Sequence, residues 1–327
     1  MKVLLTGGAG YLGSTLARHL LERGHYVRVL DKLIFGDRSI AELLNNPRFQ
    51  FVKGDIRHVE DITSAMKDVD AVIDLAAIVG VPACEKNGDA SIETNYWATK
   101  LLAQVAKSNG VRRFLFASTC SIYGESEDST VTESSPTQPL SLYVETKLQS
   151  EQALLGVQSD FDPVVLRLST LCGPSFRMRF DLVLNVMTAT AYFDHEVKVF
   201  GGNQWRPLLD VRDASRAFSM LLEADSRLVS HSIINVGSDN HNITIGHLGE
   251  LVAKQFDDVK LTRAPDRDDS RSYRVDFGKI RKMGFNTQLS LVSSIRDVKE
   301  LLQDGIVTDY KDPKCNNSGW VIAPVPA

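Results

Sequence analysis

The 327-residue chain has no long hydrophobic run. No stretch approaches the ~18 uncharged apolar residues of a membrane span, so none is expected. Basic excess is missing too. Lysine and arginine number 37 against 41 aspartates and glutamates, and a net charge of −4 leaves nothing to grip a nucleic-acid backbone. Four cysteines, Cys84, Cys120, Cys172 and Cys315, lie far apart without a CxxC pair, which gives no zinc knuckle and fits a reducing compartment. The seven histidines form no ligand-spaced group, since His241 and His247 stand off one helix face, and no metal is expected. Met1-Lys2-Val3-Leu4-Leu5 meets glycines too soon for a signal-peptide core, so a cytoplasmic protein is expected. What remains is ordinary: 43% hydrophobic and 24% charged residues, enough for a large core. At ~150 residues per domain that is two domains or one large α/β unit.

The order of residues narrows this. Val3-Leu4-Leu5-Thr6 is a short apolar run that ends in Gly7-Gly8-Ala9-Gly10-Tyr11-Leu12-Gly13, after which Leu12, Leu16, Leu20 and Leu21 recur at helical spacing. Strands are expected at 26–31, 49–53, 71–75, 113–118 and 163–168, with helices at 59–66, 92–108 and 142–155 between them. Alternation of this kind with right-handed crossovers predicts an α/β fold, a Rossmann-type doubly wound parallel sheet. Past residue 170 the alternation loosens. A smaller α/β lobe is expected over 171–327, packed on the 1–170 unit because no linker separates them, with some chain crossing back and an irregular tail after Gly305.

Gly7-x-x-Gly10-x-x-Gly13 sits between the first strand and its helix, where glycine permits a tight turn and close approach to a pyrophosphate. The helix N-terminus adds free N–H groups and the positive end of its dipole. Asp31, at the end of the second strand, accepts from a ribose 2′-hydroxyl and repels a 2′-phosphate, which favours NAD over NADP; the adjacent Lys32 weakens that preference.

Tyr143-x-x-x-Lys147 places a phenol and an ammonium on one helix face. The ammonium lowers the phenol from its usual value of about 10 and makes it a usable base for a sugar hydroxyl. The spacing recurs at Tyr96/Lys100 and Tyr310/Lys314, but only Tyr143 follows a strand-end hydroxyl cluster, Ser118-Thr119-Cys120-Ser121.

TGGAGYLG, Asp31, Gly54-Asp55-Ile56, Leu75-Ala76-Ala77, STCSIYG and YVETK resemble, in order and spacing over roughly residues 1–300, the extended short-chain dehydrogenase/reductase family, nearest its nucleotide-sugar epimerases and dehydratases. The resemblance implies a catalytic triad of Thr119, Tyr143 and Lys147. It implies an NAD site made from Gly7, Gly10, Tyr11, Leu12, Gly13, Asp31, Lys32, Asp55, Ile56, Leu75, Ala76, Ala77, Asn95 and Ser118, joined by Tyr143 and Lys147. For a nucleotide-diphosphate sugar it implies contacts from Thr119, Ser121, Asn185 and Arg206, and one arginine before Tyr273, with Arg263, Arg267 and Arg271 all open and Arg271 taken. Asp74 departs from the histidine common in the family's H-x-A-A segment.

The family's 4,6-dehydratases carry an acid just after the threonine, where this chain has Cys120 and Ser121. Its multi-site epimerases place a cysteine at the position of Ser121, and Cys120, one step earlier, is expected to face away from substrate. A 4-epimerase is therefore favoured, with a 4-dehydrogenase or 4-ketoreductase as alternative and a non-catalytic NAD-sensing module as a further one. A homodimer through helices 92–108 and 142–155 is expected.

Overall fold

Val3, Leu4 and Leu5 of the first strand, β1 (Lys2–Thr6), are all fully buried. A strand apolar on both faces needs helices on each side of its sheet, the environment of parallel α/β folds. The computed structural model describes residues 1–157, 160–265 and 271–319. Strands β1, β2 (Tyr26–Asp31), β3 (Phe49–Lys53), β4 (Ala71–Asp74), β5 (Arg113–Thr119), β6 (Asp162–Leu168) and β7 (Ser232–Val236) form one parallel sheet in the spatial order 3-2-1-4-5-6-7. The order reverses between β1 and β4, and a ligand crevice belongs at the carboxyl ends beside such a switch point.

The helices that matter for the site start where the sequence caps them. Helix α1 (Tyr11–Glu22) begins directly after Gly10 and buries Leu12, Leu16, Leu20 and Leu21. Helix α3 (Leu142–Leu155) is capped by Ser141, whose hydroxyl accepts from Val144 N, so Tyr143 falls in its first turn. The helix expected at 92–108 is not continuous. Gly88–Ile92 is helical, Glu93–Trp97 opens into a wider π turn, and α2 (Ala98–Ser108) follows. The wider turn frees Asn95 O to accept from Ser150 Oγ at 2.7 Å. It also turns the Asn95 amide onto Ile78, accepting from its N at 2.8 Å and donating to its O at 3.0 Å. Interruptions of this kind recur near functional sites.

After β6 the chain leaves the large sheet. Thr170–Cys172 pairs in parallel with Trp205–Asp210, which pairs antiparallel with Asn242–Thr244. Glu196–Phe200 pairs with Lys260–Ala264. Helix α4 (Val183–Phe193) packs with helices 245–253 and 291–303 around Leu184, Val199, Leu208, Leu248 and Ile295. The chain crosses back to the first lobe more than once. Helix α5 (Val211–Glu223) packs on α1 and leads into β7, and Ser272–Val275 pairs with Glu125–Val131. The tail carries a 3₁₀ turn at Pro313–Cys315 and returns to the first lobe, where Asn317 Nδ2 donates to Val79 O at 3.3 Å. Among the described residues no helix is long and apolar enough to cross a membrane.

Candidate active site

A cavity of about 1010 Å³ opens at the carboxyl ends of the central strands, between the two lobes. Its floor is the glycine turn. Gly7 has φ +67°, and a Cβ there would come within 2.9 Å of the Ala76 backbone; at Gly13 it would lie 2.2 Å from Gly7 O. The chain is thus packed backbone on backbone where a phosphate would approach the start of α1. Asp31 braces this turn, Oδ2 accepting from Ala9 N at 2.9 Å and Oδ1 from Leu33 N at 2.8 Å. Each oxygen keeps a lone pair for a ligand hydroxyl. Burial pushes the Asp31 carboxyl up, while those two backbone bonds pull it down. Lys32 turns away from it, donating to Asp55 Oδ2 at 2.8 Å. Burial alone would raise Asp55, but Arg57 and Lys32 hold its carboxyl well below the usual range.

Thr119 ends β5 and lines the cavity, its Oγ1 accepting from Ser121 N at 3.1 Å. Tyr143 lines the same wall, half-buried, and Lys147 lies one turn further along α3, 3% exposed. The ammonium donates to Ala117 O at 2.8 Å and sits 4.6 Å from the Phe116 ring centroid. Burial pushes Lys147 down to about 8, against the pull of Asp74, then Cys84 and Glu151. The balance at Tyr143 differs from the sequence expectation. Burial pushes the phenol up, and the cations that counter it are Arg179 and Arg271.

Asp74 lies beneath this group, 1% exposed, accepting from Thr6 Oγ1 at 2.6 Å and Thr99 Oγ1 at 2.9 Å. Thr6 Oγ1 in turn accepts from the Leu75 and Ala76 amides, both at 3.1 Å. The carboxylate therefore ties the end of β1 to the Leu75-Ala76-Ala77 wall. Behind Thr119 runs a second buried network. Ser118 Oγ donates to Glu151, whose carboxylate is forked onto Arg167 with Nη2–Oε2 2.7 Å; Arg167 Nη1 also donates to Tyr123 Oη at 3.0 Å. Cys120 faces this network, fully buried, its Sγ donating to Arg167 O at 3.1 Å, and burial pushes the thiol up. Ser121 Oγ lies 3.0 Å from Tyr273 Oη.

The cavity brings together Gly7, Gly10, Tyr11, Leu12, Gly13, Asp31, Lys32, Asp55, Ile56, Leu75, Ala76, Ala77, Ser118, Thr119, Ser121, Tyr143, Lys147, Arg206 and Arg271. Two expected contacts stand outside that lining. Asn95 spends its amide on Ile78 and Thr146, and its place next to the cleft is taken by Thr94. Asn185, expected at a diphosphate, is fully buried: it accepts from Gly173 N at 2.9 Å and donates to Arg179 O at 3.0 Å and Tyr11 Oη at 3.2 Å. It braces one lobe against the other. Arg206 Nη1 donates to Trp205 O at 2.9 Å and to Arg271 O, which holds both arginines at the second lobe's wall. Arg263 pairs with Glu250 at 2.9 Å on the surface, and Arg267 lies outside the described residues.

Sequence reasoning missed Arg177, Arg179 and Asp181, all on the cavity wall. Arg179 is forked onto Asp181, with Nε–Oδ1 3.1 Å and Nη2–Oδ2 2.6 Å. The signal available was an Arg-x-Arg pair shortly after the strand-ending Gly173-Pro174. The other two Tyr-x-x-x-Lys pairs lie elsewhere. Tyr96 is in the π turn, facing a surface groove, and Tyr310 donates to Asp194 Oδ2 at 2.5 Å outside any helix.

The family model described as the NAD dependent epimerase/dehydratase family matches residues 3–237. Low-salt glycan biosynthesis protein Agl12 of Haloferax volcanii is 29% identical over 300 residues, 89% of this chain and 94% of that protein. A UDP-glucose 4-epimerase of Lactobacillus helveticus is 26% identical, covering 98% and 99%. Among solved structures, the dTDP-glucose 4,6-dehydratase DesIV of Streptomyces venezuelae, with NAD and TYD bound, is similar at a TM-score of 0.83 and 26% identity over 93% and 98% of the two chains. The family match runs from β1 through β7 and so takes in the whole large sheet and the Thr119–Tyr143–Lys147 wall. On that span the chain belongs to the NAD-dependent epimerase/dehydratase family and is an enzyme of the extended short-chain dehydrogenase/reductase fold.

Proposed function

We propose that the protein is an NAD-dependent nucleotide-sugar 4-epimerase working through a transient 4-keto sugar. The observation that carries this reading is the absence of an acid beside Thr119. Cys120 faces the back of β5 with its thiol on Arg167 O, and Ser121 is hydrogen-bonded to Tyr273. A 4,6-dehydratase must remove a C5 proton and expel the C6 hydroxyl, and neither residue suits that work.

The residues present fit the cofactor. The glycine turn has no room for a Cβ at Gly7 or Gly13, and Asp31 keeps lone pairs for ribose hydroxyls. Asp55 and Ile56 would flank the adenine. NAD, when bound, supplies the acceptor and donor for the C4 hydrogen. The protein's own part is acid–base work and positioning. Thr119 holds the C4 oxygen, and Tyr143 takes and returns its proton. Arg179 and Arg271 supply the positive field that opposes the rise burial imposes on the phenol. Arg206 and Arg271 hold the diphosphate.

We further propose a homodimer through the helical segments 92–108 and 142–155. Trp97 is 54% exposed beside a groove lined by Ile92, Tyr96, Leu142 and Gln149, so apolar surface is left open between these helices.

The test is a panel of UDP-, dTDP-, GDP- and CDP-hexoses incubated with the enzyme and followed by proton NMR. The C4 epimer of one member, formed without net NADH, is the expected result. Stoichiometric NADH or a released 4-keto sugar would make the protein a dehydrogenase, and a 6-deoxy product would make it a dehydratase.

A further inference from the structure

The segment Gly173–Arg177 of the second lobe is stitched to the start of α1. Tyr11 Oη donates to Gly173 O at 2.6 Å, and Ser175 Oγ donates to Tyr11 O at 2.6 Å. The Ser175 hydroxyl also lies 3.3 Å from those of Ser14 and Thr15. Next to it, the Arg18 guanidinium stacks 3.3 Å from the centroid of the Phe176 ring. These contacts carry the strip over the phosphate-binding turn and bring Arg177 to the cavity wall. There its guanidinium carbon lies 3.6 Å from the centroid of Phe35, in the loop that follows Asp31.

Arg177 is 7% exposed, and its Nε and Nη2 are buried without hydrogen-bond partners. The neighbouring carboxylates make their hydrogen bonds to other groups. Both oxygens of Asp31 accept from backbone amides, and both oxygens of Asp181 are forked onto Arg179. Burial, reinforced by Arg179, pushes the Arg177 guanidinium down to about 10, which still leaves it charged at neutral pH. A buried, unpaired cation is a standing cost to the fold, and an anion that docks against it removes that cost. A guanidinium edge also matches phosphate oxygens in geometry as well as charge.

We propose that Arg177 is the second lobe's hold on the cofactor, its guanidinium taking a phosphate oxygen of the dinucleotide's diphosphate. The inference rests on the NAD reading of the cleft. It assigns Arg177 to the cofactor rather than to the sugar nucleotide because Arg177 stands with Asp31 and Phe35, whereas Arg206 stands with Tyr273 at the far wall. The cofactor is thereby clasped between the lobes instead of resting on the first lobe alone. Its release then requires the Gly173–Arg177 strip to give way.

Calorimetric titration of the full chain, stripped of nucleotide, tests this with NAD, ADP-ribose, adenosine, UDP and dTDP. Arg177→Met should weaken NAD and ADP-ribose at least tenfold, about 1.4 kcal/mol. Adenosine, UDP and dTDP should change by less than twofold, and Arg177→Lys should recover part of the loss. The nucleotide-free Arg177→Met protein should resist urea at least as well as the wild type, since the substitution removes a buried charge whose Nε and Nη2 have no partners. NAD and ADP-ribose binding to Arg177→Met within twofold of the wild type would overturn the proposal. So would an equal loss for adenosine, which means packing, or a loss confined to UDP or dTDP, which moves Arg177 to the substrate. Failure of the NAD reading itself looks different: the wild type would then bind neither NAD nor ADP-ribose.

Discussion

Tyr143 and Lys147 are set by opposing forces. Both are ionisable, and burial disfavours the charged form of each, raising the phenol and lowering the ammonium to about 8. Tyr143→Phe keeps the ring that packs against Ile78 and Ala83 but removes the hydroxyl proposed above as the proton carrier. It should cost about 10²–10⁴-fold in kcat with NAD affinity unchanged, as read by single-turnover kinetics and titration. Lys147 makes a stability prediction. Its folded pKa of about 8 lies below the ordinary 10.5, so below pH 8 both states hold the proton and the folded state bears the burial cost. Between about 8 and 10.5 the unfolded chain binds more proton, and this group's contribution to stability rises with pH. Lys147→Met in the NAD-free protein should therefore be more stable than the wild type at pH 7, by roughly 3 kcal/mol at most, with the advantage fading by pH 10. A difference independent of pH in urea denaturation would contradict this. That Thr119, Tyr143 and Lys147 share one wall was legible because their placement is local: a hydroxyl at a strand end, a phenol and an amine one helical turn apart. Arg177 and Arg179 were not, because only the folding of their strip across α1 brings them to the cleft.

Behind the triad, elements are held together by buried charge. Arg167 on β6 and Glu151 on α3 are 3% and 1% exposed, and through Ser118 they fix the end of β5 against the helix that carries Tyr143. Arg167→Met leaves the Glu151 carboxylate buried without its partner and should cost about 3–5 kcal/mol in urea unfolding. Arg167→Met combined with Glu151→Leu should recover much of that; an additive double variant would show that the two do not act as a pair. The first six strands of the large sheet were legible as apolar runs bounded by turn residues. The π turn at Glu93–Trp97 was not. Apolar spacing reads straight through it, and its cause is tertiary: Asn95 must reach both Ile78 and Ser150. For the same reason Asn95 and Asn185, legible as polar positions, have their amides spent on backbone rather than turned to the cleft. Glu125–Val131 was missed as a strand because six polar residues in it leave little apolar pattern, and its pairing partner is Ser272–Val275, far along the chain.

Across the whole molecule, the chain that builds the second lobe also closes the first. Helix α5 covers α1, β7 extends the large sheet, and the tail returns to Val79, so the cleft is bounded by both lobes without a hinge-like linker between them. One cooperative unfolding transition is expected, and two separated calorimetric transitions would contradict it. The open apolar strip at Trp97 bears on assembly. Light scattering at micromolar concentration should give twice the 36.2 kDa chain mass, and Trp97→Glu should give the chain mass with the fold intact by circular dichroism. A monomeric wild type would refute the dimer. The central claim concerns the fate of one hydrogen. In the 4-epimerase reading, the hydrogen taken from C4 goes back to C4 of the same sugar without meeting solvent. With a nucleotide hexose deuterated at C4, mass spectrometry should find the label retained in both epimers at equilibrium. Label lost to water, or carried off in free NADH beside a 4-keto sugar, would contradict the account.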